Sequence, residues 1–140
     1  RELEKLEGEL SPIEEYIARH EGYATGDYKD TKGITTSGGG QTGKYQGMTF
    51  KEAVREHEKL AESLIDNYHS YPTSVKARLL SGVYRGSLSG SPKTLRLINQ
   101  GQYEEASKEF LNNAEYTNIK TPASIKRRME DLSSAIYSLS

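Results

Sequence analysis

From Phe50 to Tyr68 the residues Phe50, Ala53, Val54, His57, Leu60, Ala61, Leu64, Ile65 and Tyr68 recur at intervals of three and four. Only an α-helix turns that spacing into one continuous stripe, and a stripe of that length needs other helices to cover it. Thr49 and Glu52, just before it, have the spacing of a capping box. The same start signals recur along the chain. Ser11-Pro12-Ile13-Glu14 opens a helix with Ile13, Tyr16, Ile17 and His20 on one face, and Gly22 offers it a stop, so Glu21 falls at its C-terminal end. Pro72 separates the long stripe from a helix at about residues 74–85 carrying Val75, Leu79, Leu80 and Val83. Ser91-Pro92 opens another, ending near Asn99 and Gly101, and Tyr103, Ala106, Phe110 and Leu111 mark the next. Thr121-Pro122 starts the last, with Ile125, Met129, Leu132, Ile136 and Leu139 on one side. There is no internal repeat, and "GSLSGSP" at residues 86–92 reads as a flexible connection.

Residues 23–43 carry no helical period. Tyr28, Ile34, Thr35 and Thr36 favour strands, and Asp30-Thr31-Lys32-Gly33 has Asp and Gly where a tight turn wants them, so a small twisted hairpin is expected. Gly38, Gly39 and Gly40 follow, opening a backbone path that other residues resist or a close approach by a ligand.

A length of 140 residues suits one domain, and 34% hydrophobic with 28% charged residues describes an ordinary globular chain. No apolar run approaches the roughly 18 residues of a membrane span, so membrane insertion is not expected. The absence of cysteine excludes disulfides and thiolate sites. His20, His57 and His69 lack a ligand spacing, so no metal is expected. Arg1 and Lys5 stand against Glu2, Glu4, Glu7, Glu9, Glu14 and Glu15, a balance of -4 that leaves +3 for residues 16–140 of the total of -1. That mild basic tilt suits long-range attraction to a polyanion but falls short of a nucleic-acid footprint. Residues 1–10, "RELEKLEGEL", read as a charged leader or helix end from a preceding region, and residues 11–140 as the folded domain.

Glu21 at a helix end and Asp30 at a hairpin turn place two carboxyl groups in different surroundings. Glycoside cleavage needs such asymmetry, since one carboxyl must donate a proton while the other stays ionised. The plain alternative is a solvated helix-end glutamate and a turn-forming aspartate. Tyr84 and Arg85, beside residues 86–92, either flank a sugar groove or pack. Lys126, Arg127 and Arg128 make a solvated basic face that also suits attraction to an anionic wall. The glycine run lacks the Gly-Lys-Ser/Thr ending of a phosphate loop, and no Ser-His-Asp setting is present.

Glu21-Gly22, Tyr28-Lys29-Asp30-Thr31, Gly33, Thr36 and the glycines ending at Gly40 resemble the catalytic stretch of the phage-type lysozymes, the muramidases of tailed bacteriophages. Nine positions separate Glu21 from Asp30 and six more reach Thr36, as in that family's Glu, Asp, Thr triad. "GMTFKEA" at 47–53, "INQGQYEEASKEF" at 98–110 and "TPASIKRRMEDL" at 121–132 carry a weaker likeness. The chain departs from the family at Gln41, Leu60 and Ser124, where relatives often carry His, an acidic residue and Arg. The resemblance implies an α+β lysozyme-like fold, with a small β-hairpin lobe, a larger helical lobe and a cleft between them. It further implies a glycoside hydrolase, a bacteriolytic enzyme that degrades the cell wall by cutting peptidoglycan between N-acetylmuramic acid and N-acetylglucosamine. Glu21 would be the general acid, Asp30 would activate the water, and Thr36 would hold it. Ser37, Gly39, Gly40, Gln41, Tyr84 and Arg85 would contact the sugar chain. No cofactor is implied.

The expected partner is bacterial peptidoglycan, with the rest of a larger virion protein as a possible second. The expected setting is virion-associated, acting in the periplasm during genome entry. A stand-alone endolysin held in the host cytoplasm before lysis is the alternative. A lytic transglycosylase and a non-catalytic wall-binding or assembly module are the other rivals.

Overall fold

A computed structural model describes residues 8–21, 28–29, 35–36 and 48–140. The chain divides into two compact units, Arg1–Lys59 and Leu60–Ser140. Expectations for residues 1–7, for the glycine run and for Asp30, Ser37, Gly39, Gly40 and Gln41 lie outside the described residues.

In the first unit, α1 (Pro12–His20) begins with the reciprocal cap that its sequence encodes. Ser11 Oγ accepts from the Glu14 amide at 3.2 Å, and Glu14 Oε1 accepts from the Ser11 amide at 2.8 Å. Tyr16, Ile17 and Ala18 are buried, and the Tyr16 and His20 rings stack obliquely with centroids 4.4 Å apart. The helix α2 (Phe50–Leu64) starts in this unit and is capped in the same way. Thr49 Oγ1 accepts from the Glu52 amide at 3.1 Å, and Glu52 Oε1 accepts from Thr49 at 3.4 Å. Lys51 donates to the Glu9 carbonyl at 2.7 Å. His57 is buried on the stripe and donates from Nδ1 to the Ala53 carbonyl at 2.7 Å, which satisfies it as a core residue.

The described β-structure is two strands of two residues each, β1 (Tyr28–Lys29) and β2 (Thr35–Thr36), paired antiparallel with Tyr28 opposite Thr36 and Lys29 opposite Thr35. Every other regular element among the described residues is helical. The expected α+β lysozyme-like architecture, with a hairpin lobe and an interlobe cleft, is therefore corrected to a helical one. The physical reason lies in where the apolar area is. Among the described residues, Phe50, Leu79, Leu80, Ile98, Phe110 and Ile136 bury almost fully on helical stripes, so the core they form is helical.

In the second unit the end of α2 is fastened by Asn99, whose amide donates to the Leu64 carbonyl at 3.0 Å and accepts from the Asp66 amide at 2.9 Å. A short 3-10 turn (Tyr68–Ser70) and Pro72 lead into α3 (Thr73–Arg85). Then come α4 (Pro92–Asn99), α5 (Tyr103–Leu111), the four-residue α6 (Ala114–Thr117) and α7 (Ala123–Tyr137). The helix α7 packs against both α3 and α5, and α4 packs against α5. Leu79, Leu80, Val83, Leu88, Ile98, Phe110, Leu132 and Ile136 form the core of this unit. A buried hydroxyl bridges α7 to α5, with Ser133 Oγ donating to the Ser107 carbonyl at 2.8 Å.

Residues 86–92 are not the flexible connection their composition suggests. Gly86 adopts φ +93°, a left-handed conformation that closes α3 by returning its amide to the Gly82 carbonyl at 3.0 Å. The Leu88 amide reaches the same carbonyl at 3.0 Å, and the Leu88 side chain is fully buried. Gly82 makes room for it. A Cβ at Gly82 would sit 2.6 Å from Leu132 Cδ2 and 2.9 Å from Leu88 Cβ. Replacing a mid-helix glycine by alanine ordinarily gains about 1 kcal/mol. Overpacking a core costs about 1–3 kcal/mol, so the crowding prevails here. Gly82→Ala is expected to lower the thermal unfolding midpoint; an unchanged or raised midpoint would mean that α3 and α7 are not in this close contact.

Candidate functional site

The helix α3 places Arg78, Ser81 and Arg85 at intervals of three and four, hence along one edge. The helix α7 supplies partners in reverse order. Arg78 Nε lies 3.0 Å from Asp131 Oδ2, and Arg128 donates to Ser81 Oγ from Nε at 3.0 Å and from Nη2 at 2.8 Å. A longer contact of 3.4 Å joins Nη2 to the Ser81 carbonyl. Partner numbers fall on α7 as they rise on α3, so the two helices run antiparallel along this seam. Ser81 is only 3% exposed, which makes its hydroxyl a rigid mount for the guanidinium.

Arg85 continues the row to α6. Its Nη1 and Nη2 donate to Glu115 Oε1 at 3.0 Å and Oε2 at 2.7 Å, the fork-on-fork geometry that arginine shares with carboxylates. The hydrogen bonds from Arg85 hold the Glu115 carboxyl below the usual glutamate range, with burial working against them. The adjacent Tyr116 hydroxyl donates to Glu130 Oε2 on α7, which raises the phenol's pKa. Lys126 Nζ stands 6.0 Å from the centre of the Tyr116 ring, at the outer limit of a cation–π contact. The edge thus joins Arg78, Arg85, Lys126 and Arg128 with Glu115, Glu130 and Asp131. It is net positive but interleaved with acceptors.

The triad expected from sequence is not assembled among the described residues. Glu21 is the C-cap of α1, with its amide donating to the Ile17 carbonyl at 2.9 Å. Thr36 belongs to β2, and Asp30 lies outside the described residues. Of the expected sugar contacts, Tyr84 is buried in the second unit and Arg85 holds Glu115. No group of three His, Asp or Glu side chains among the described residues is placed to hold a metal ion. No helix among them is long and apolar enough to cross a membrane.

Two surface depressions are lined by none of the arginine-edge residues. One, of about 370 Å³, is bordered by Glu105, Lys108, Glu109 and Asn112, all from α5 and its end, so it is an open surface trough. The other, of about 150 Å³ in the first unit, lies between Glu14, Lys51, Arg55 and Glu58. Neither is the apolar, enclosed cavity that a small-molecule site requires.

No family model, no curated protein and no solved structure matches the chain. The resemblance to phage-type lysozymes therefore finds no support beyond the residues that suggested it. With helices making up the regular structure of the described residues apart from two two-residue strands, the assignments as lysozyme, muramidase, glycoside hydrolase and bacteriolytic enzyme are withdrawn. Arg85 and the basic face Lys126, Arg127 and Arg128 were expected from sequence, but not the assembly of Arg85 and Arg128 with Arg78 and Ser81, because the joining pairs lie 30 to 53 positions apart.

Ser81→Ala removes the acceptor of two charge-assisted hydrogen bonds and is expected to cost about 1–3 kcal/mol in denaturant unfolding. A loss of only a few tenths would show that the hydroxyl does not hold Arg128. For Glu115, a carboxyl lowered in the folded state contributes stability above its unfolded value and loses it as pH falls through the folded one. The difference in melting point between the native chain and Glu115→Gln should thus be present at neutral pH and vanish under acid, below the ordinary value of 4.5.

Proposed function

We propose that the chain is a non-catalytic binding module that attaches to bacterial peptidoglycan through the arginine edge of its helical unit. The observation behind this reading is the guanidinium of Arg128, mounted on buried Ser81 between two arginine–carboxylate pairs. Side chains fixed in this way have already lost much of the freedom that binding would otherwise cost. Arginine forks suit planar carboxylates. Peptidoglycan offers such carboxylates on its stem peptides, interspersed with amide and hydroxyl groups that pair with Glu130 and Asp131. The interleaved acceptors disfavour a nucleic-acid backbone, which presents phosphates in an unbroken row. The corresponding setting is the periplasm, reached as part of a larger virion protein.

Co-sedimentation with purified Gram-negative peptidoglycan tests this reading. The native chain is expected in the pellet at low salt and progressively less as ionic strength rises. Arg128→Ala is expected to weaken retention by about tenfold or more, on the worth of a charge-assisted hydrogen-bonded contact. Arg78→Gln should weaken it as well, with thermal melts confirming that both variants remain folded. Retention indifferent to both substitutions would place the contact elsewhere. Release of soluble sugar fragments with new reducing ends would contradict the non-catalytic part of the proposal.

A further inference from the structure

We propose that Tyr71 and Tyr103 form an oxidative cross-linking site, at which a peroxidase with hydrogen peroxide joins the two phenols into a dityrosine staple within one chain. Their hydroxyls face each other at 3.1 Å, and the rings meet edge to face with centroids 6.2 Å apart and planes at 85°. Coupling joins two Cε carbons, each next to the carbon that carries the hydroxyl, so contact between the hydroxyls brings the reactive edges of both rings to one point. Both residues are half-buried, so neither phenol is sealed from an oxidant.

The two phenols are presented by backbones that are fixed without them. Tyr71 closes the 3-10 turn, its amide returning to the Tyr68 carbonyl at 3.3 Å, and the Pro72 carbonyl accepts from the Lys76 amide in the first turn of α3 at 2.9 Å. Tyr103 opens α5 just after Gly101, whose φ of +74° turns the chain back at the end of α4. The Gly101 and Gln102 amides reach the Ile98 and Leu97 carbonyls, each at 2.9 Å. Asn99 already ties this turn to the end of α2. The meeting of the rings is therefore built into the helical unit, and holding two reactants together turns a bimolecular step into a unimolecular one. With ten tyrosines and no cysteine, the chain has phenols but no thiols through which oxidation could staple it.

The step balances. Each phenol gives up one electron and one proton, leaving a phenoxyl radical whose unpaired spin is shared with Cε. The two radicals form a Cε–Cε bond, and the hydrogens on the joined carbons move to the oxygens and restore both hydroxyls. The two protons and two electrons lost convert one hydrogen peroxide to two waters. Burial, and after it the bond to Tyr103, pushes the Tyr71 phenol up from its ordinary value of 10.0, so at neutral pH its proton leaves together with the electron. The bond ties the connection between α2 and α3 to the start of α5, 32 residues on, and restricts the unfolded chain as a disulfide would.

The test treats the dilute native chain, Tyr71→Phe and Tyr103→Phe with peroxidase and hydrogen peroxide. Phenylalanine keeps each ring, and thermal melts before treatment confirm that the variants fold. The native chain is expected to yield a monomer lighter by two hydrogens, a linked peptide pair containing Tyr71 and Tyr103, and dityrosine fluorescence per chain that does not change on dilution. The cross-linked monomer is expected to melt higher than the untreated chain. Either substitution should lower the dityrosine yield of the monomer by about tenfold or more, because the remaining phenols lack the fixed encounter. Linked peptides that join other tyrosines, a yield that falls with dilution, an equal yield from the variants or an unaltered melting point would overturn the proposal. So would the absence of dityrosine in the native chain while free N-acetyltyrosine couples in the same mixture.

Discussion

The close approach of α3 and α7 at Gly82 is the contact on which the helical unit depends. A hydrogen in place of a side chain lets Leu132 and Leu88 fill the space beside the α3 backbone, and two consequences follow. The loop after α3 is pulled in by Leu88 and by the Gly82 carbonyl, which accepts from both Gly86 and Leu88. The seam between the helices is also drawn tight enough for Ser81 to reach Arg128 and for Arg78 to reach Asp131. The polar edge is thus a by-product of how the core packs. Its arginines are held by helices whose opposite faces are buried, which is what gives a surface contact a defined geometry.

Much of the helical framework is legible in the sequence because the signals are local. Ser11 with Glu14 and Thr49 with Glu52 are each three residues apart, so a capping box is visible before any tertiary contact exists. Proline at positions 12, 92 and 122 marks the first turns of α1 and α4 and the approach to α7. The apolar stripe through Phe50, Ala53, Val54 and His57 is buried at each of those positions. Where local composition misled, a distant partner had changed its meaning. Leu88 sits among glycines and serines that suggest a loose linker, yet its side chain fills the gap beside Gly82.

The reading of residues 21–40 as a catalytic stretch shows the opposite risk. Glu, Asp and Thr at given intervals are compatible with a catalytic triad and also with a helix end, a turn and a strand. Spacing along the chain does not specify the geometry that catalysis needs. Among the described residues, the β-structure is the two-rung pairing of Tyr28–Lys29 with Thr35–Thr36. The arginine edge carries the reverse lesson. Arg85 and Glu115 have no proximity in sequence, and only the folding of α6 back toward α3 brings them into bidentate contact.

The claim that this edge is a recognition surface is tested most directly by titrating soluble muropeptides bearing free stem-peptide carboxylates into isotopically labelled protein, following the side-chain Nε–H signals of the arginines by NMR. The account predicts saturable shifts of Arg78, Arg85 and Arg128 together, with Arg19 and Arg55 of the first unit unmoved. Shifts confined to other residues, or none at concentrations where the chain remains folded, would contradict it.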